Sequence, residues 1–240
     1  MSKILVRPDV HLKPWMFKQA AQALETGEAE RAVCLMDIPD NRSRLFDPAL
    51  YEETYDAAID FQKKYPETLW CYGNHDLSYE WLQPESGFSF AAIDIVREKL
   101  DELKSVMPDE KSLTYIHRID NVLFVHGGIT QEFVRRCAYT ADYDDVDAVI
   151  GTINSLGMRE MWDESSPIWF RPQFYDEKMY REEDFLQVVG HTPVMKIEKT
   201  DNVLSCDLFS TYRTGEPIGT EEFLVIDTQT QEYRGIRKSE

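Results

Sequence analysis

Short apolar runs recur along the chain, and each stops at a cluster of polar residues. Ile4-Leu5-Val6, Ala32 to Met36 and Leu69 to Tyr72 are continuous or nearly continuous in apolar side chains, as strands buried on both faces tend to be. Two stretches of helical spacing lie between them. The first runs from Trp15 to Glu25, with Pro14 near its start and Gly27 closing it. The second covers Pro48 to Lys64, where Tyr51, Tyr55, Ala58 and Ile59 fall on one face and Pro66 ends the pattern. Strand, helix, strand, helix, strand predicts βαβ units and a parallel sheet.

The pattern is less regular beyond this point. Leu77 to Phe90 reads as a loop with aromatic content, and a helix is expected from about Ala91 to Val106. Leu113 to Ile116 and Val122 to Val125 flank Asp120-Asn121 and predict a hairpin. The acidic segment Tyr139 to Glu164, with the charged stretch that follows, is expected to form a cap over about residues 139–184. Phe185 to Val189 is a further strand. Val203-Leu204, Phe223 to Ile226 and Tyr233 are expected in antiparallel strands, with a turn around Gly215 to Gly219. No repeat or linker interrupts the pattern, so one mixed α/β domain over residues 1–240 is the simplest organisation.

Composition narrows the function classes. A chain of 240 residues, 42% hydrophobic, can bury a sizeable core. Its formal charge of −18 argues against general nucleic-acid binding and against anionic membranes. It leaves room for an anionic substrate, because bound metal ions invert the local field. No apolar run approaches membrane-spanning length, and Met1-Ser2-Lys3 leads straight into a strand rather than a signal peptide. Cys34, Cys71, Cys137 and Cys206 form no CxxC pair, and a reduced, cytoplasmic setting is expected.

The polar clusters carry the candidate chemistry. Five apolar runs end in a potential ligand: Asp9 and His11, Asp37, Asn74, His126 and His191. Four of the chain's five histidines fall behind such runs, and His117, inside a strand pattern, is the exception. A single histidine so placed is more often a structural turn residue. Four placed alike, beside carboxylates, favour a site. Carboxylates, an amide oxygen and imidazoles without thiolates suit divalent manganese, iron or zinc. Asp9 and His11 are two apart and can share a face of an extended segment. Asp37 lies between the two groups and could bridge two ions. Two ions about 3.5–4 Å apart clamp a phosphoryl group and acidify a bridging water for in-line attack.

Asp9-x-His11, Asp37-x-x-Asp40, Gly73-Asn74-His75-Asp76, His126-Gly127-Gly128 and Gly190-His191-Thr192 together resemble the calcineurin-like metallophosphoesterase superfamily. The resemblance spans roughly residues 4–195 in the family's order. Gly190-His191-Thr192 lacks the second histidine of the nuclease branches, and is more similar to the phosphoprotein-phosphatase and dinucleoside-tetraphosphatase branch.

The resemblance implies a four-layer α/β/β/α sandwich with mixed sheets and two divalent ions, manganese first, with iron or zinc as alternatives. It implies that Asp9 and His11 hold one ion, that Asp37 bridges, and that Asn74, His126 and His191 complete the second site. His75 would be the proton donor to the leaving oxygen, oriented by Asp40. A metal-bridging hydroxide would attack a phosphate ester or polyphosphate, on a small molecule or a phosphoprotein. Arg171 resembles a phosphate-binding arginine, with a surface salt bridge as its alternative role. Arg42 is displaced by one from the family's Asp-Arg-Gly position, where a solvated loop cation is the competing reading. Two glycines usual in the family are replaced, by Pro8 and Met36, which restrict backbone conformations that glycine permits. A metal-binding module of this fold with little catalysis is therefore the alternative function, and a nucleic-acid phosphodiesterase a third.

Overall fold

The computed structural model describes residues 3–41, 43–44 and 47–237. β1 (Lys3–Arg7), α1 (Trp15–Glu25), β2 (Arg31–Cys34), α2 (Pro48–Lys64) and β3 (Leu69–Cys71) follow the predicted alternation, and the three strands pair in parallel. α1 turns Met16, Phe17, Ala20 and Ala23 inward. α2 starts where Asp47 accepts a hydrogen bond from the Leu50 amide at 3.3 Å, with Pro48 in the first turn.

Three expectations are corrected. Residues 77–80 lie in a helix, α3 (Asn74–Glu80), and the irregular loop begins only after it. The helix escapes the sequence because it is seven residues long, has no side-chain cap and opens on Asn-His-Asp, which are ordinary turn residues. α4 (Ile93–Ser105) falls inside its expected span. The run from Leu113 divides at Tyr115, which is the second correction. β4 (Leu113–Thr114) pairs in parallel with β3, whereas β5 (Ile116–Ile119) forms the hairpin with β6 (Val122–Val125). Residue-by-residue hydrophobicity does not reveal that a strand run changes partners partway.

α5 (Gln131–Cys137), α6 (Val146–Asn154) and α7 (Met158–Met161) come next, followed by β7 (Leu186–Pro193), β8 (Glu198–Thr200), β9 (Val203–Asp207), β10 (Glu222–Asp227) and β11 (Tyr233–Arg237). β10 and β11 pair antiparallel as expected, and β9 does so with β8, but β9 also runs parallel to β7, the third correction. α6 packs on β5, where the Asn154 side chain accepts from the amides of Tyr115 and Ile116.

The strands form two mixed sheets, ordered β11-β10-β1-β2-β3-β4 and β5-β6-β7-β9-β8. Three separate apolar cores define four layers. One lies between α1, α2, α4 and the six-stranded sheet, with Met16, Tyr55, Trp70 and Leu100 in it. A second lies between the two sheets, where Val6, Val33 and Leu224 meet Phe124, Val188 and Leu204. The third seats Phe133, Val149 and Ile153 of the outer helices on Leu123 and Val189. Alternation along β1 and β6 sends neighbouring side chains to different cores, which is how one strand serves two layers. Arg7 follows the same alternation, toward the helix-side core, although it carries a charge. Fully buried, it lays its guanidinium 3.7 Å from the centre of the Phe17 ring and 5.0 Å from Trp70, and donates to Cys34 Sγ at 3.2 Å.

Candidate metal centre

The C-terminal ends of β1, β2 and β3 meet the ends of β6 and β7, where open α/β sheets place their chemistry. The first three deliver Asp9 and His11, Asp37, and Asn74 with His75. β6 runs into His126, and a register shift between Val189 and Pro193 in β7 coincides with His191. Ligand atoms of His11, Asp37 and His75 lie within 4.8 Å of one another, and so do those of Asp37, His126 and His191. Asp37 is common to both groups. Asp9 adjoins the first, 3.9 Å from His11 Nε2, with its carboxylate accepting the His191 amide at 3.0 and 3.1 Å.

Each imidazole is oriented from behind. Nδ1 of His11 donates to Asp40 O at 2.9 Å, Nδ1 of His126 to Leu35 O at 2.8 Å, and Nε2 of His191 to Trp169 O at 3.0 Å. Backbone carbonyls only accept, so these contacts place a proton on the nitrogen that faces them and turn the other ring nitrogen toward the site. His126 Nε2 then faces Asn74 Oδ1 at 3.1 Å and Asp37 Oδ2 at 3.2 Å. Three electron-donating atoms so close need a proton or a cation among them.

The electrostatics agree. Burial works against charging His126, yet Asp37 and Asp9 outweigh it and move it up to about 9. Burial pushes Asp9 well above the usual carboxylate range, helped by Asp207 and Asp37. Burial also opposes ionising Asp37, but the surrounding His126, His75 and His11 hold it below that range. Burial and His75 bring His11 down to about 3, and burial with His126 holds His191 well below its ordinary value. His11 and His191, held neutral among crowded carboxylates, are a donor set that divalent cations fit, and at His126 a cation would take the place of the proton that Asp37 and Asp9 favour.

His75 stands apart from the other three. Its Nδ1 donates to Asp40 Oδ2 at 2.8 Å, and Asp40 Oδ1 in turn accepts from Tyr51 and Tyr79. Against burial, Asp37, the Asp40 hydrogen bond and Glu85 move His75 up to about 10. Arg171 lines a cleft of about 210 Å³ with His11, Asp40, His75 and His191. Its Nη1 is anchored on His191 O at 2.8 Å and Thr192 Oγ1 at 3.1 Å. Arg42 lies outside the described residues.

Several residues of the site receive no role from the motifs. Asp76 accepts from the amides of Asp37 and Ile38 and from Tyr55, so it shapes the turn that carries Asp37. Asp207 is buried behind Asp9 and held by Ser210 Oγ at 2.8 Å. Glu85 reaches Asn74 and His75 from the loop after α3. None ends an apolar run, and their contacts are set by tertiary packing. Only Asp76 was named in the sequence, as the last residue of Gly73-Asn74-His75-Asp76, and without a role.

Paired groups of imidazoles and carboxylates sharing one aspartate, at the junction of two sheets, mark a metal-dependent hydrolase. The chain belongs to the calcineurin-like phosphoesterase family, whose profile matches residues 2–212. It is accordingly a metal-dependent phosphoric ester hydrolase.

Solved structures extend the likeness at low identity. The hypothetical protein PH1004 from Pyrococcus horikoshii is 14% identical with a TM-score of 0.53, over 99% of this chain and 88% of that one. TT1561 of Thermus thermophilus is 8% identical with a TM-score of 0.50, over 98% of both chains. A metallophosphoesterase from Sphaerobacter thermophilus is 14% identical with a TM-score of 0.47, over 98% and 88%. At such identities the two likenesses with TM-scores of 0.53 and 0.50 show the fold alone. No curated protein matches the chain.

Proposed function

We propose that the chain hydrolyses phosphate esters of small molecules at a two-ion centre, with His75 as the proton donor. Asp9 and His11 would hold one ion and Asn74, His126 and His191 the other, with Asp37 between them. Manganese suits this donor set, and iron and zinc are the alternatives. When bound, such ions neutralise phosphoryl charge and acidify water at neutral pH. The observation that carries the reading is the His75–Asp40 contact at 2.8 Å beside the shared Asp37.

In this reading His75 presents Nε2 to the leaving oxygen and passes it a proton, while Asp40 fixes the ring and stabilises its charge. Expelling an alkoxide at neutral pH needs that proton. Arg171 offers its guanidinium to a phosphate oxygen from the cleft wall, a role its anchoring on His191 and Thr192 supports. A cleft of about 210 Å³ favours a small phosphate ester over a folded protein surface. One domain over the whole length is in keeping with the continuous four layers. A cytoplasmic setting is supported by four free cysteines, and none of the described helices is long and apolar enough to cross a membrane.

The test is His75→Asn. It should keep the metal content of the wild type and lose on the order of 10²–10⁴-fold in kcat, the range of a positioned general acid. Unchanged kcat would remove His75 from the reaction. Bound metal without phosphate release by the wild type, on any ester tried, would leave a binding module instead.

A further inference from the structure

Glu85 lies in none of the five motifs, yet it touches two of their side chains. Its Oε1 accepts from Asn74 Nδ2 at 2.6 Å and lies 3.1 Å from His75 Nδ1. The carboxylate is only 12% exposed. The loop that carries it is tied down on both sides. Gln83 N donates to Ser78 O and Ser89 N to the Tyr79 hydroxyl, and Phe88 stacks on Tyr79 with ring centres 4.3 Å apart. Gly87, at φ +104°, lets this loop turn back against Asp40 and His75, which a Cβ there would meet at 3.5 and 3.6 Å.

An asparagine amide is ambiguous as a ligand, because its oxygen and nitrogen ends are nearly the same shape and only the oxygen can bind a cation. An ionised carboxylate accepts hydrogen bonds and donates none, so it admits only the nitrogen end. With Nδ2 on Glu85, Oδ1 is turned toward His126 Nε2 and Asp37. We propose that Glu85 is a positioning residue that fixes the Asn74 amide with its oxygen toward the metal centre. The proposal deepens the two-ion reading and rests on it for its effect on metal. It assigns to a loop outside the motifs the task of completing the second ion's ligand set.

The test compares Glu85→Ala, Glu85→Gln and Glu85→Asp. The first readout is the Asn74 side-chain amide signal in ¹⁵N NMR of the metal-free chain. The second is Mn²⁺ affinity by calorimetry. Wild type should keep a shifted, exchange-protected amide, and Glu85→Gln, whose own amide can turn either end to Asn74, should keep it only in part. Glu85→Ala and Glu85→Asp, the latter one methylene too short, should lose it. The same two variants should lose about 10–100-fold in affinity for one ion, the usual effect of removing a ligand's hydrogen-bond partner. An unchanged amide signal and affinity in the alanine and aspartate variants would overturn the proposal. So would a glutamine variant that keeps the amide signal in full yet loses as much affinity as the alanine variant, which would make charge rather than orientation the point. A wild type that binds no Mn²⁺ would defeat the two-ion reading, while the amide signal would still decide whether Glu85 holds Asn74.

Discussion

Met36 shows what the site demands of individual residues. It stands where the family usually has glycine, and it adopts φ +51°, the left-handed region that glycine enters freely. His11, Asp37, Asp40 and His191 share that region at φ +47°, +44°, +67° and +61°. Such a conformation costs on the order of 1–3 kcal/mol at a non-glycine residue and clusters at functional sites. Burial of the Met36 side chain in the helix-side core offsets part of the cost. Glycine is kept where space rather than torsion is limiting. A Cβ on Gly73 would stand 2.0 Å from Asp37 Oδ1 and 2.8 Å from the Asp37 amide, so the aspartate would have to move. Gly73→Ala should therefore leave the fold intact by circular dichroism but lose bound metal by elemental analysis. Its kcat/KM should fall on the order of 100-fold or more, as expected for a displaced ligand. Retained metal and rate would show that Asp37 is not a ligand. The ligand candidates were legible because each closes an apolar run. Glu85, Asp207, Tyr51 and Tyr79 were not, because nothing local marks a residue whose partner is brought in by packing.

At the scale of elements, His117 explains how the two sheets are joined away from the site. It belongs to β5, and its Nε2 donates across to Trp70 O in β3 at 2.9 Å. Burial keeps it neutral and brings it down to about 4. The unfolded chain takes up this proton at its ordinary value near 6.5, the folded chain only near 4. The contribution to stability is thus complete above about pH 6.5 and is lost as pH falls toward 4. A difference of about 2.5 units amounts to about 3 kcal/mol. Denaturant midpoints at pH 7 and pH 4 should fall less steeply in His117→Gln than in the wild type, by about that amount. Equal slopes would mean that His117 takes up its proton at the same pH in the folded and the unfolded chain. The sequence placed this histidine in a strand and apart from the site. It did not show the division at Tyr115 that brings β4 to one sheet and β5 to the other. Nor did it show α3, whose first turn carries Asn74 and His75 and reads locally as a turn.

Across the whole molecule, the burial of like charges is the dominant fact. Asp9, Asp37, Asp40, Asp76 and Asp207 are buried in and around one centre, within a chain of formal charge −18. Apolar packing in three cores supplies the driving force for folding, but it does not repay uncompensated carboxylates. Divalent ions do, and the same ions would join the two sheets through Asp37 on one side and His126 and His191 on the other. The layered fold was readable from the order of motifs and apolar runs. The balance of buried charge needed the structure, since residues as distant as Asp9 and Asp207 become neighbours only on folding. The most direct measurement is the rate of 4-nitrophenyl phosphate hydrolysis by chelator-treated protein as Mn²⁺ is added back in known equivalents. The account predicts no hydrolysis without metal and a rate that reaches its plateau at two ions per chain. Full hydrolysis by the metal-free chain would contradict it.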